Sequence, residues 1–240
     1  MQDTTQLYDG APLDDWFALL GPHDLHYHFA LDGVNDPFAN SISEILPHLT
    51  GHILDLGCGF GGPARMLQDA GHDVTCVSHS QVQLDYIQSR QATNTLLADL
   101  NAPPVWPDAN TALMVESFCH VRRQAQLLAS LTTERLVMIA HQSKTESFFH
   151  PLWQMQFHNE PDFRALLDQA GWHIIHWQDR MPEKAAMTAQ LWRKRLNQIP
   201  KPWNRHWELL DELSTQIETV PSFTDHFALV DLVAIRKETL

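Results

Sequence analysis

The chain has 240 residues, 44% of them hydrophobic, and a formal charge of −13. That length suits one domain with room for an insertion, and the composition supports a substantial buried core. The acidic balance argues against nucleic acid or an anionic membrane as partner, and the lack of an apolar run of about 18 residues argues against a membrane span.

Residues 1–50 read as helical and irregular. Leu13, Trp16, Phe17 and Leu20 have helical spacing, which Gly21 and Pro22 end. A second helix is expected from Pro37 to Leu49. Between the two lies the polar-aromatic cluster Leu25-His26-Tyr27-His28-Phe29. An apolar strand, 52–56, then runs into Gly57-Cys58-Gly59-Phe60-Gly61-Gly62. A helix from Pro63 to Ala70 follows, with the proline tolerated in its opening turn. Further strands are expected at 73–77, 94–98, 112–116 and 135–140. Phe163, Leu166 and Leu167 mark one face of a helix over 161–170, which Gly171 stops. A sixth strand covers 173–178. Two helices separated by Pro200 and Pro202 follow, marked by Ala185, Ala189, Trp192, Leu196 and Ile199, and then by Trp203, Trp207, Leu210 and Ile217. The chain returns to strand over 227–235. Strands alternating with helices predict a doubly wound, parallel α/β sheet.

The negative charge is uneven. Arg180, Lys184, Arg193, Lys194, Arg195, Lys201 and Arg205 stand against Glu183 alone between 180 and 206. Such a run is either a solvated helix face or a lid that attracts an anionic acceptor. Cys58, Cys76 and Cys119 lack metal-ligand spacing, and the 15 histidines are scattered, so no metal site is expected. Met1–Gln6 has neither the basic nor the apolar region of a signal peptide, and free thiols suit a reducing, cytoplasmic setting.

The strand–glycine-loop–helix at 53–70 is a nucleotide-cofactor pattern. Gly57, Gly59 and Gly62 satisfy G-x-G-x-x-G. A NAD site also needs an acid closing the second strand, about 20 residues on, to hold the ribose. Here that strand ends in Ser78-His79-Ser80. Asp55 also stands beside the pyrophosphate position, where a carboxylate suits a cofactor with positive charge.

Asp55-Leu56-Gly57-Cys58-Gly59-Phe60-Gly61-Gly62 resembles the first motif of the class I S-adenosylmethionine (SAM)-dependent methyltransferases. Val77-Ser78-His79-Ser80-Gln81-Val82-Gln83 is similar to a segment of one branch, that of the tocopherol, sarcosine/dimethylglycine, prenyl-diphosphate and cyclopropane-fatty-acid type enzymes. Ala98-Asp99-Leu100 and Val115-Glu116-Ser117-Phe118-Cys119-His120 resemble the segments closing the third and fourth strands. The resemblance spans roughly 51–180. Cys119 departs from it. Many relatives have Glu there, which in cyclopropane synthases helps hold a bicarbonate base, so ordinary methyl transfer is favoured.

The resemblance implies a Rossmann-like, mostly parallel seven-stranded sheet with a helical cap. Residues 1–50 would cover the cofactor, 51–180 form the SAM-binding core, 181–222 a helical lid, and 223–240 the last strand. The implied cofactor residues are Tyr27, Asp55, Gly57, Cys58, Gly59, Ser78, Gln83, Asp99, Leu100 and Glu116. Asp55 would meet the methionine amino group, Ser78 and Gln83 the ribose, and Asp99 the adenine. His120 is the candidate base or acceptor-orienting donor. His28, His150, Trp153 and Trp192 are candidates to line the acceptor pocket, with Phe157 beside them. The expected reaction is methyl transfer to N, O or C of a small metabolite, secondary metabolism included. The alternatives are a NAD-dependent oxidoreductase and a non-catalytic SAM-binding protein.

Overall fold

The computed structural model describes residues 42–151, 154–179, 193–194, 196–203, 207–208, 210–212, 214–215 and 226–237. Seven strands form one sheet: β1 (Ile53–Leu56), β2 (Val74–Ser78), β3 (Asn94–Leu97), β4 (Thr111–Val115), β5 (Arg135–Ser143), β8 (Trp172–Asp179) and β9 (Phe227–Arg236). Their order is β3-β2-β1-β4-β5-β9-β8. The first five pair in parallel. Strand β9 runs antiparallel to both neighbours, wedged between β5 and β8. The remaining strands, β6 (Phe148–His150) and β7 (Met155–Phe157), make a separate antiparallel ribbon.

Burial on both faces explains the nearly continuous apolar runs of the central strands. Side chains alternate across a strand. Leu54, Leu56, Ala112, Met114, Leu136 and Met138 enter one core layer. Ile53, Val74, Cys76, Leu113, Val115 and Val137 enter the other. The helices divide accordingly. Two of them, α1 (Gly62–Asp69) and α2 (Gln81–Arg90), bury Ala64, Leu67, Leu84 and Ile87 against the second layer. On the first layer, α3 (Gln124–Ser130) and α4 (Glu160–Gln169) bury Leu127, Leu128, Phe163 and Leu167. Ile42, Ile45 and Leu49, from the helical turn at 42–45 and its continuation, close the second layer.

The seven expected strands all form, with ends displaced by a few residues. Strand β5 runs on to Ser143 because β9 pairs it along that whole length, from Arg135↔Ile235 to Ser143↔Phe227. Between Ile174 and His176 the β8–β9 register shifts, and Ile175, 49% exposed, is the extra residue. The three-residue strands of the ribbon were not expected. The expected N-terminal helix at 13–20 and most of the 181–222 insertion lie outside the described residues.

The crevice lies between β1 and β4. Sequence order reverses there, β2 lying on one side of β1 and β4 on the other. Ligands of open α/β sheets sit at this point, outside the carboxyl ends of the strands.

Candidate cofactor and acceptor site

Asp55 is the penultimate residue of β1, 1% exposed, and neither carboxylate oxygen has a hydrogen-bond partner among the described residues. Burial raises its pKa to about 7. A buried, unpaired carboxylate is costly in a folded chain and is stabilised by a cationic partner. The ammonium or sulfonium of a SAM-like cofactor is such a partner.

The three loop glycines, expected to admit a ligand, divide by function. Gly57, Gly59 and Gly61 all have left-handed backbones, with φ of 82°, 54° and 80°. A Cβ on Gly57 would strike Ser117 Cβ at 2.5 Å, and one on Gly61 would strike Ile87 Cγ1 at 2.8 Å. Those two glycines serve close packing inside the protein. At Gly59 a Cβ would meet nothing within 4 Å. Gly59 is therefore the position where the loop faces open space. The loop is tied to β2 by bonds from Gly57 N and Cys58 N to Val77 O, at 2.8 and 3.1 Å. Cys58 is buried, and a hydrogen bond with Cys76 followed by burial pushes its thiol pKa up. It is inert as a nucleophile.

At the end of β2, Ser78 Oγ donates to Gln83 Oε1 at 2.7 Å and accepts from Ser80 N at 3.0 Å. Ser80 Oγ caps α2 by accepting from Gln83 N at 3.2 Å. Gln83 is buried, not a solvent-facing helix residue. The local reason is the cap, which turns the first helical turn back onto the strand end. Ser78 and Gln83 thus form one hydrogen-bonded pair beside the glycine loop. Asp99 is exposed, and its Oδ1 accepts from Asn101 N at 2.8 Å in a side-chain turn. Leu100 packs toward the loop, its Cδ1 3.9 Å from the Cβ position of Gly57.

The segment after β4 leans over the loop. Ser117 Oγ donates to Leu56 O at 2.6 Å. Glu116 is buried and has a left-handed backbone, φ 54°. Its Oε2 lies 3.2 Å from His141 Nε2 on β5. His120 ends the 3-10 turn Phe118–His120. Burial, then repulsion from His141, lowers its pKa to about 4, against the opposing backbone hydrogen bond of Gln154 and the charge of Glu116. His79 also acts on His120 electrostatically. Its own Nε2 is buried without a partner among the described residues. Cys119 is buried, and burial followed by Glu116 pushes its thiol pKa up. His120 at neutral pH is thus an uncharged imidazole able to accept a proton or a hydrogen bond.

His150 and Phe157 lie on the ribbon beyond β5, where Phe157 stacks on Phe148 at 4.9 Å and His141 meets it edge-on at 5.9 Å. Tyr27, His28, Trp153 and Trp192 lie outside the described residues. Sequence reasoning missed His141 and His79. The signal was available, since His79 follows β2 and His141 lies near the carboxyl end of β5. Among the described residues no cluster of His, Cys, Asp and Glu has metal-binding geometry.

Residues 54–133 match the methyltransferase domain family. No curated protein matches the chain in sequence. In solved structures it resembles coclaurine N-methyltransferase bound to N-methylheliamine and S-adenosylhomocysteine, at 16% identity over 97% of this chain and 84% of that one, TM-score 0.77. It also resembles a cyclopropane synthase from Mycobacterium tuberculosis, at 16% identity over 97% of each chain, TM-score 0.72. The cyclase SpnF is a third likeness, at 15% identity over 97% and 93%, TM-score 0.72. At such identities the likeness is one of fold, and the three proteins perform different chemistry on it. The NAD reading gains no support from the matched family. Residues 54–133 thus carry a methyltransferase-domain match, and the seven-strand order and the glycine loop that Asp55 precedes give the chain a methyltransferase-like α/β fold around it.

Proposed function

We propose that the protein transfers a methyl group from SAM to a small-molecule acceptor. The observation that carries this reading is Asp55, a sealed carboxylate with no partner among the described residues, beside the one loop glycine that faces open space. SAM supplies an electrophilic methyl group on a sulfonium, with a good leaving group. The chain supplies placement. Asp55 holds the amino end, Gly59 admits the backbone approach, and the Ser78–Gln83 pair presents polar groups to the ribose. Asp99 and Leu100 flank the adenine side. The segment from Glu116 to His120 closes the crevice on the acceptor side and keeps water out. His120, uncharged at neutral pH, accepts or orients a proton of the acceptor.

The basic run remains a proposal for an anionic group elsewhere on the acceptor. Arg193 Nε stands 3.9 Å from Asp211, and Lys201 Nζ lies over the Trp203 ring at 4.3 Å. Those two are engaged within their own segment. Among the arginines, the cations able to hold a carboxylate or phosphate bidentately, the idea therefore rests on Arg180, Arg195 and Arg205, which lie outside the described residues. No described helix is long and apolar enough to cross a membrane. A cytoplasmic setting is proposed on the free thiols alone.

A screen of metabolites with methyl-labelled SAM tests the reading. Label should appear in one chemical class of acceptor, in step with S-adenosylhomocysteine release. Tight SAM binding with no transfer to any acceptor would favour the non-catalytic alternative.

A further inference from the structure

Glu116 and His141 form a carboxylate–imidazole pair, Oε2 to Nε2 3.2 Å, with side chains only 7% and 11% exposed. The backbone at Glu116 explains how the pair arises. Met114 faces the first core layer and Val115 the second. An extended residue 116 would return to the layer of Met114 and bury its charge among apolar side chains. The left-handed turn at φ 54° avoids this. That conformation is strained for a residue with a Cβ and persists where surrounding contacts hold it. Here Glu116 N donates to Ile139 O at 2.7 Å, and the Cys119 thiol donates to Glu116 O at 3.2 Å. The result directs the carboxylate across to His141 on β5.

The surroundings are suited to a particular ligand charge. Asp55 and Glu116 are the buried acids at these strand ends, and His120 beside them is uncharged at neutral pH. Arg122, on the same segment, is exposed and donates to Gln154 Oε1 at 2.8 Å. Aromatic faces adjoin the pair. Phe157 meets His141 at 5.9 Å, stacks on Phe148 at 4.9 Å and meets Phe227 edge-on at 5.4 Å. A carboxylate next to aromatic rings attracts cations and N–H donors and repels anions.

We propose that Glu116, oriented by His141, anchors the nucleophilic nitrogen of an amine acceptor, with Phe157 and Phe148 against the acceptor's apolar body. Glu116 contacts the acceptor, and His141 is a positioning residue that acts through it. This inference rests on the methyltransferase reading and deepens it.

The test uses the full chain loaded with S-adenosylhomocysteine and titrated calorimetrically with N-methylbenzylamine and, separately, with benzoate. The amine binds and benzoate does not. Glu116→Gln and His141→Ala each weaken amine binding about 10- to 100-fold, the scale of a hydrogen bond to a charged group. His141→Gln, which keeps an N–H donor, recovers most of that loss. The double variant Glu116→Gln/His141→Ala loses little more than Glu116→Gln alone, as expected when one residue works through the other. Affinity for S-adenosylhomocysteine, which also reports intact folding, stays near that of the parent. Three results would overturn the proposal. The first is no amine binding by the loaded parent protein, and the second is preference for benzoate; neither depends on a variant that folds. The third is a loss of S-adenosylhomocysteine affinity in Glu116→Gln as large as the loss of amine affinity, which would return Glu116 to the cofactor site. Failure of the parent to bind S-adenosylhomocysteine at all is separate, and removes the methyltransferase reading itself.

Discussion

Asp55→Asn should separate stability from function. Burial raises the Asp55 pKa from 3.8 to about 7. The unfolded chain ionises this carboxyl at the lower value, while the folded chain keeps it protonated up to the higher one. Stability from this group is therefore intact below the unfolded pKa and is lost as pH rises toward 7. A shift of about three units corresponds to about 4 kcal/mol at its full extent. Asparagine does not ionise and escapes that loss, though its buried amide has unmet hydrogen bonds of its own, costing about 1–3 kcal/mol. The stability of the ligand-free variant relative to the parent should therefore rise by about 2–3 kcal/mol between about pH 5 and about pH 8. Denaturant unfolding at the two pH values measures this directly. Repeated with saturating S-adenosylhomocysteine, the parent gains stability by mass action and the variant gains far less. A variant whose relative stability is flat with pH, or which gains from the ligand as much as the parent does, would refute the reasoning.

Other substitutions separate the glycines and the strand-end groups. Gly59→Ala should cost only the left-handed strain, about 1–2 kcal/mol, and weaken SAM binding, whereas Gly61→Ala adds a collision with Ile87 and should lose more stability, measured by thermal melting. Pairing Gly61→Ala with Ile87→Val should recover part of that difference. Gln83→Ala removes the acceptor for Ser78 Oγ, which lies 2.7 Å away; unfolding measurements should show a loss of about 0.5–1.5 kcal/mol, and calorimetry a weaker cofactor. His120→Ala should lower turnover about 10²–10⁴-fold with little change in S-adenosylhomocysteine affinity. The folded His120 titrates at about 4, below its ordinary 6.5. The unfolded chain binds that proton first, so stability falls as pH drops through this window, and His120→Ala should flatten the fall.

The sheet was legible because burial on both faces writes itself as apolar runs. Ile53–Leu56, Thr111–Val115 and Arg135–Ala140 are each bounded by turn-forming or polar residues. The glycine loop and the capped strand end were legible because their constraints are local. A left-handed loop demands glycine, and Ser78 to Gln83 is a single capped turn. The Glu116–His141 pair was less legible because its geometry is made between strands. Glu116 was read with the cofactor, yet its carboxylate meets His141, 25 positions along the chain and on another strand. Only the parallel register of β4 and β5 brings the two together. The ribbon β6–β7 escaped for a similar reason. Three-residue strands carry too few alternations to show a period, and Phe148, Phe157 and Phe227 meet only after the chain has crossed the sheet.

The most direct test is calorimetric titration of the ligand-free protein with S-adenosylhomocysteine and with NAD, beside Asp55→Ala. The sealed carboxylate and the strand end without an acid predict S-adenosylhomocysteine binding in the micromolar range or tighter, roughly −8 kcal/mol or better. NAD binds far more weakly. Asp55→Ala weakens SAM by about 1.5–3 kcal/mol. Tighter binding of NAD, or S-adenosylhomocysteine and SAM affinities indifferent to Asp55, would contradict it.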